Sequence, residues 1–250
     1  MVKCSCGFIF LDPIPEEATL KNYYDNLPNP PQLDASPIEY EKSMERINLA
    51  ERSLDKPCRK WRILDVGSGS SNFLSIAKAR GWDAYSLEIR EDAKTLMRKE
   101  GIKVIDNIPN IFFDAITLNQ VLEHLPNPLE NLKIYHRKLV TNGIMIVEVP
   151  NIDSLGFKLL KDKWYFIKNP EHISYFSEDT LILMLEKAGF EIIKAEFLGA
   201  TLVTDFASSS QSNAKIIFNF YRNFKGIINP FIGLFNKTRF SDTLRVVAQK

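Results

Sequence analysis

The chain has 250 residues and a formal net charge of +1, and hydrophobic residues make up 45% of it. This length and composition suit one sizeable globular domain, and the balanced charge gives no general attraction to nucleic acid. No apolar run reaches the roughly 18 residues of a membrane span, and the opening MVKCSCGFIF lacks the pattern of a signal peptide. We therefore expect a cytoplasmic protein.

Residues 1–35 are predicted to form an N-terminal extension, with a short strand in GFIFLDP and a helix in PEEATLKNYYD. Cys4 and Cys6 resemble the second knuckle of a zinc ribbon. A structural zinc site needs four ligands, usually in C-x-x-C pairs, and this extension has a single C-x-C. We interpret the two cysteines as a remnant and expect no bound zinc.

In the main domain, predicted to cover residues 36–250, strands alternate with helices. Buried strands are expected in WRILDV, DAYSLEI, IKVI, FDAITLN and GIMIVEVP. Helices are expected in SSNFLSIAKARG, REDAKTLMRKEG, NPLENLKIYHRKLV and EDTLILMLEKAG, and two further strands in FEIIKAEFL and TLRVVAQ. This alternation predicts an α/β fold, in which helices cover both faces of a parallel sheet.

A glycine-rich turn, in LDVGSGSSNF, follows the first strand of this domain. Glycine lets backbone N–H groups approach a ligand closely. Glu88 ends the next strand, where a carboxylate can accept hydrogen bonds from both hydroxyls of a ribose. Asn72 replaces the third glycine of the dinucleotide fingerprint, and Asp65 would repel a pyrophosphate. Asp65 instead suits a cofactor that carries an ammonium and a sulfonium, such as S-adenosylmethionine.

Three segments, ILDVGSGSSNF, SLEI and FDAITLNQVLEHLPNP, together resemble a class I S-adenosylmethionine-dependent methyltransferase. The resemblance continues in NPEHISYFSEDTLILMLEKAGFEII, which is typical of a branch with small-molecule and saccharide methyltransferases. QVLEHLPNP is similar to the ubiquinone-biosynthesis O-methyltransferases. The family fold is a doubly wound, Rossmann-like sheet of seven strands with the last strand antiparallel. TLRVVAQ would be that strand, paired with FEIIKAEFL.

The resemblance implies where the methionine part of the cofactor binds. Three loop residues match the family's loop beneath it: Gly67, Ser68 and Gly69. Asp65 would support this loop. Arg46, on a helix before the sheet, matches a basic residue with which some relatives bind the cofactor carboxylate. The alternative for Arg46 is a solvated helix face.

The resemblance also implies the contacts of the other parts of the cofactor. Glu88 matches the acid that binds the ribose, and Ile89 would lie against the adenine. Asn107 or its neighbour Asp106 would meet the adenine amine. Two residues after the fourth strand match positions near the sulfonium: Asn119 and Gln120.

Two histidines are candidates for the base that removes a proton from the acceptor. His124 is a base or a metal ligand, since some relatives bind a divalent metal through two acids and this histidine. Gln120 replaces the first acid, so no metal is predicted; His124 would otherwise fix its turn. His172, in NPEHISYF, is expected to face the acceptor, the alternative being a hydrogen bond that organises its loop. Residues 164–166, Trp-Tyr-Phe, are expected to line part of the acceptor pocket and to supply its apolar or stacking surface.

The predicted function is transfer of a methyl group from S-adenosylmethionine to a small-molecule acceptor, at a hydroxyl of a saccharide, nucleotide-sugar or related metabolite. The alternatives are a quinone or aromatic O-methyltransferase and a non-catalytic, cofactor-binding module of the same fold. No nucleic-acid partner is expected.

Residues 207–241 are predicted to form a helical insertion before the last strand. They contain five basic residues and no acidic one, and they are rich in phenylalanine. This pattern indicates an amphipathic element that lies on an anionic membrane or covers a lipid-linked acceptor. The alternative is packing against the sheet edge or against the partner subunit of a homodimer.

Overall fold

The computed structural model describes most of the chain, in five ranges: residues 1–26, 37–54, 60–69, 72–199 and 238–250. The predicted insertion lies outside the described residues as far as residue 237, so its proposed membrane or subunit contact stays a prediction. None of the helices in the described ranges is long and apolar enough to cross a membrane.

The core of the fold is a seven-stranded sheet in the order β5-β4-β3-β6-β7-β10-β9. Its strands are β3 (Arg62–Val66), β4 (Asp83–Leu87), β5 (Lys103–Ile105), β6 (Phe113–Asn119), β7 (Leu139–Pro150), β9 (Glu191–Leu198) and β10 (Thr243–Gln249). The strands from β5 to β7 are parallel, whereas β10 runs antiparallel to both β7 and β9. The predicted seven-stranded fold, with its antiparallel last strand, is confirmed.

In the described ranges, seven α-helices accompany the strands: α1 (Glu17–Asp25), α2 (Pro37–Ser53), α3 (Phe73–Ala79), α4 (Glu91–Lys99), α5 (Pro128–Lys138), α6 (Leu155–Leu160) and α7 (Glu178–Lys187). They help to form apolar cores on both faces of the sheet. Ile63 belongs to the core under α2, α3 and α4, while its neighbour Leu64 belongs to the core under α5 and α7. Successive side chains of a strand point to opposite faces, so β3 contributes to both cores.

The N-terminal extension is joined to the main domain by a small antiparallel sheet. Its strands are β1 (Val2–Lys3), β2 (Ile9–Phe10) and β8 (Ser174–Tyr175), in the order β1-β2-β8. The N–H of Leu11 also donates to the carbonyl of Ile173 over 2.8 Å. The extension therefore packs beside His172, while Cys4 and Cys6 are free thiols in an exposed turn.

Candidate active site

The glycine loop lies at the edge of the sheet where the parallel strands end. Gly67 and Gly69 have φ angles of +66° and +54°, in the left-handed region that favours glycine. A Cβ atom on Gly67 would lie 2.6 Å from Cγ2 of Val121, whereas one on Gly69 would meet no atom of the described residues within 4 Å. The backbone at Gly67 is therefore packed against the turn after β6, and no described residue fills the space beside Gly69.

We expect Gly67→Ala and Gly69→Ala to have different effects. Both substitutions force alanine into a left-handed conformation, which costs about 1–2 kcal/mol. Gly67→Ala adds a clash with Val121, so its melting temperature should fall further than that of Gly69→Ala. Gly69→Ala should fold but lose affinity for S-adenosylhomocysteine, measured by calorimetry. Wild-type affinity in Gly69→Ala would mean that the cofactor does not occupy the open space.

Glu88, directly after β4, holds the glycine loop through its carboxylate. Oε2 accepts a hydrogen bond from the N–H of Gly69 over 2.9 Å. Oε1 accepts from the N–H groups of Ile89 and Arg90 over 2.7 and 3.0 Å. A carboxylate has about four acceptor sites and these bonds use three of them, so one ribose hydroxyl finds a free site and the second must share an occupied one. Ile89 is 69% exposed at the same edge, where an apolar side chain can contact a flat ring.

Asp65 lies at the end of β3, behind the loop, and is 2% exposed. Its Oδ1 accepts hydrogen bonds from Thr117 Oγ1 over 2.6 Å and from Asn119 Nδ2 over 3.3 Å. Burial raises the pKa of Asp65 to about 7, although these bonds and the charge of Arg46 oppose the shift. The backbone carbonyl of Asp65 accepts a hydrogen bond from the Ser68 hydroxyl over 3.1 Å. Asp65 therefore supports the glycine loop from its buried side.

Two amide side chains lie at the end of β6, next to the loop. Asn119 Oδ1 and Gln120 Oε1 are buried, and neither has a hydrogen-bond partner in the described part of the chain. Gln120 also has a φ of +56°, and a non-glycine residue is strained in that region. Buried acceptors without donors are costly unless a ligand supplies the donor. The ammonium of S-adenosylmethionine is such a donor, so these residues fit the cofactor.

The sequence assigns Arg46 to the carboxylate end of the cofactor and Asp106 to its adenine end. The first residue is buried and the second is exposed. Arg46, on α2, is 9% exposed and pairs with Glu148 and Glu39, so the alternative of a solvated helix face is wrong. Asp106 is exposed and its carboxylate accepts from Lys94 Nζ over 2.6 Å. Both Asp106 and Asn107 follow β5 at the edge that carries Glu88. Their predicted contacts with the cofactor stay predictions.

The two candidate histidines contact one another. Their ring centroids are 4.6 Å apart and the rings are nearly perpendicular, at 85°. The N–H of Ile173 donates to the carbonyl of Glu123 over 2.8 Å, which brings the loop of His172 against the turn of His124. His124 Nδ1 lies 2.9 Å from the Glu171 carbonyl. A carbonyl can only accept, so this bond makes Nδ1 the donor and leaves a lone pair on Nε2.

Glu123 completes this cluster, which we call the histidine cluster: Glu123, His124 and His172. Nδ1 of His172 and both carboxylate oxygens of Glu123 are buried and have no hydrogen-bond partner among the described residues. One ligand atom from each of the three side chains lies within 4.8 Å of the others. The cluster thus gathers buried polar atoms that have no hydrogen-bond partner among the described residues.

Burial determines the protonation of the histidine cluster. Burial, with the nearby His124 and Lys168, lowers the pKa of His172 to about 3. Burial also lowers the pKa of His124. The same cause raises the pKa of Glu123 to about 8. At pH 7 both imidazoles are therefore neutral and keep a lone pair, while the carboxyl of Glu123 is largely protonated.

The apolar surface predicted before His172 is only partly available. Trp164 is 2% exposed, and its Nε1 donates to Asp242 Oδ1 over 3.1 Å, so it packs inside the fold. The expectation that Trp164 lines the acceptor pocket is therefore wrong, because its indole N–H has a buried partner. The ring of Phe166 stacks on His172, with centroids 6.3 Å apart. Tyr165 is 44% exposed.

A family model described as a methyltransferase domain matches residues 34–195. No curated protein sequence matches the chain.

Solved structures share the fold at low sequence identity. A SAM-dependent methyltransferase from Archaeoglobus fulgidus is 22% identical, with a TM-score of 0.58 over 85% of this chain and 94% of that one. The cyclopropane synthase MmaA2 from Mycobacterium tuberculosis is 14% identical, with a TM-score of 0.60 over 96% and 100%. Coclaurine N-methyltransferase, bound to N-methylheliamine and SAH, is 11% identical, with a TM-score of 0.57 over 87% and 75%.

Proposed function

We propose that this chain, which belongs to the class I S-adenosylmethionine-dependent methyltransferases, methylates a hydroxyl of a small-molecule metabolite. Saccharides and nucleotide-sugars are the acceptor class. The observation that carries the proposal is the set of buried polar atoms on Glu123 and His172 that have no hydrogen-bond partner in the described residues. A hydroxyl-rich acceptor supplies several O–H groups to partner these atoms, whereas a quinol, with fewer hydroxyl groups, supplies fewer.

In the proposed reaction, S-adenosylmethionine supplies a methyl group that its sulfonium already activates. The glycine loop and Glu88 hold the cofactor at the edge of the sheet. The acceptor oxygen must lose its proton as it gains the methyl group, and a neutral imidazole can take that proton. His172 Nδ1 is the nitrogen with no other partner in the described residues, so we assign it as the base.

Incubation with S-adenosylmethionine and a panel of acceptors tests this proposal, with S-adenosylhomocysteine formation as the readout. We expect turnover with hydroxylated saccharides or nucleotide-sugars, and mass spectrometry should show one added methyl group. Turnover only with quinols or catechols would favour the aromatic alternative. Binding of S-adenosylhomocysteine without turnover on any acceptor would favour a non-catalytic module.

The histidine cluster also fits a divalent cation, which the sequence does not predict. Two imidazole nitrogens and a carboxylate oxygen are ligands that Zn²⁺ or Mn²⁺ accepts. The bond from His124 Nδ1 to the Glu171 carbonyl is the outer hydrogen bond that orients ligating histidines. When bound, such an ion would favour ionisation of a hydroxyl held against it.

For this second candidate, we expect Mn²⁺ or Zn²⁺ to raise the melting temperature of the chelator-treated protein. A ligand at a hundred times its dissociation constant stabilises a protein by roughly 2.7 kcal/mol. His172→Ala should abolish the shift, while His136→Ala, which changes a histidine outside the cluster, should keep it. If neither ion moves the melting temperature of the wild type, the cluster works without a metal.

A further inference from the structure

A network of buried charges lies on the sheet face that α2 covers. Arg46, Glu148 and Arg245 are 9%, 3% and 2% exposed. Glu148 Oε1 accepts from Nε of Arg46 over 3.1 Å and from Nε of Arg245 over 2.6 Å. Glu148 Oε2 accepts from Nη2 of Arg46 over 3.2 Å. One buried carboxylate therefore joins two guanidinium groups that are distant in sequence.

The strand register fixes Arg245 in this position. Arg245 on β10 lies opposite Glu148 on β7 and opposite Glu196 on β9. Its Nη1 donates to Glu196 Oε1 over 3.0 Å and to Glu45 Oε1 over 3.1 Å. Arg245 is thus held by three carboxylates and has little freedom to move.

The network reaches the candidate cofactor site. Glu148 is the register partner of Asn119, and its carbonyl accepts from the N–H of Gln120 over 2.9 Å. Asn119 in turn donates to Asp65, behind the glycine loop. Arg46 is close enough to Asp65 for its charge to lower the pKa of that carboxyl.

Among the described residues, Arg46 has fewer partners than donors and keeps donors for a further anion. A guanidinium has five N–H donors. Three bonds of Arg46 go to carboxylates, two to Glu148 and one, from Nη1, to Glu39 over 3.1 Å. Burial raises the pKa of Glu148, but the charges of Arg46 and Arg245 outweigh it, so Glu148 stays ionised. Because the negative charge of Glu148 is shared between Arg245 and Arg46, Glu148 offsets only part of the positive charge of Arg46.

We propose that Arg245 is a positioning residue for cofactor binding. Through Glu148 it fixes the guanidinium of Arg46 and preserves its positive charge for the carboxylate of S-adenosylmethionine. The inference rests on the proposed contact between Arg46 and that carboxylate. Without Arg245, Glu148 would pair with Arg46 alone. The N–H donors of Arg46 would then turn towards Glu148, and their attraction for an anion would weaken.

The test compares two ligands: S-adenosylhomocysteine, and methylthioadenosine, which lacks the amino-acid carboxylate. In calorimetric titrations, we expect Arg245→Leu to weaken S-adenosylhomocysteine binding about tenfold or more, the scale of a hydrogen bond to a charged group. Methylthioadenosine affinity should change less than about twofold. Arg46→Ala should show the same selectivity between the two ligands. The variant with both substitutions should lose less S-adenosylhomocysteine affinity than the product of the two single losses.

Two further variants complete the test. Arg245→Lys keeps the charge and should recover part of the S-adenosylhomocysteine affinity. If Arg245→Leu does not fold, the inference is tested by whether Arg245→Lys weakens S-adenosylhomocysteine binding more than methylthioadenosine binding. Arg62→Leu removes an arginine that is 49% exposed and should change neither affinity. Equal weakening of both ligands in the Arg245 variants, or no weakening, would overturn the inference. If Arg46→Ala leaves both affinities unchanged, the proposed role of Arg46 fails as well.

Discussion

Glu88→Ala is expected to weaken S-adenosylhomocysteine binding roughly 10²- to 10⁴-fold. Two hydrogen bonds from the ribose to a charged acceptor would be lost, at about 1.5–3 kcal/mol each. The N–H of Gly69 would also lose its partner, so the loop would be held less firmly. Isothermal titration measures the affinity, and the melting temperature shows whether the variant is folded.

Two control variants separate the carboxylate of Glu88 from general effects of charge. Glu88→Gln keeps the shape and one acceptor oxygen, so its loss of affinity should be smaller than that of Glu88→Ala. Glu91→Ala removes an acid whose side chain is 75% exposed, at the start of α4, and should bind as the wild type does. A folded Glu88→Ala variant with unchanged affinity would disprove the assignment of Glu88 to the ribose.

His172→Ala is expected to lower turnover roughly 10²- to 10⁴-fold, the usual contribution of a positioned base. Cofactor affinity should stay unchanged, because no described contact joins His172 to the glycine loop or to Glu88. The measurement is steady-state S-adenosylhomocysteine formation with the acceptor found by the panel, alongside calorimetric titration of S-adenosylhomocysteine.

His136→Ala is the matched control for His172→Ala. His136 lies on α5, where its ring packs against Phe190, away from the histidine cluster, and its loss should leave turnover near that of the wild type. Added imidazole should restore part of the activity of His172→Ala if that residue removes the proton. Retained turnover in His172→Ala would place the base elsewhere, and an unfolded variant would favour the loop-organising alternative.

The sheet and the cofactor loop could be predicted from the sequence because their signals are local. Short apolar runs that alternate with amphipathic segments indicate parallel strands and covering helices. Gly67 and Gly69 directly follow the first of these runs, and Glu88 follows the second. The neighbouring side chains of Asp65 and Asn119 could be named from their strands, but their hydrogen bond required the parallel register of β3 and β6.

The charge network and the histidine cluster could not be predicted because their members are distant in the chain. Arg245 stands in TLRVVAQ, which indicates only a strand, and its partner Glu148 becomes its neighbour through the antiparallel register. The sequence does not predict Glu123 as a cluster member; its only signal is an acid directly before His124. The sequence places Trp164 at the acceptor because aromatic residues suit both a pocket wall and a core, and the bond of its indole N–H to Asp242 shows that it belongs to the core.

A crystal structure of the chain with bound S-adenosylhomocysteine tests the account most directly. The account expects the ribose hydroxyls to bond to the carboxylate of Glu88, and the sulfur to lie beside Asn119 on the side of His124 and His172. A complex in which the sulfur faces away from the two histidines, or in which Glu88 makes no contact with the ribose, would contradict it.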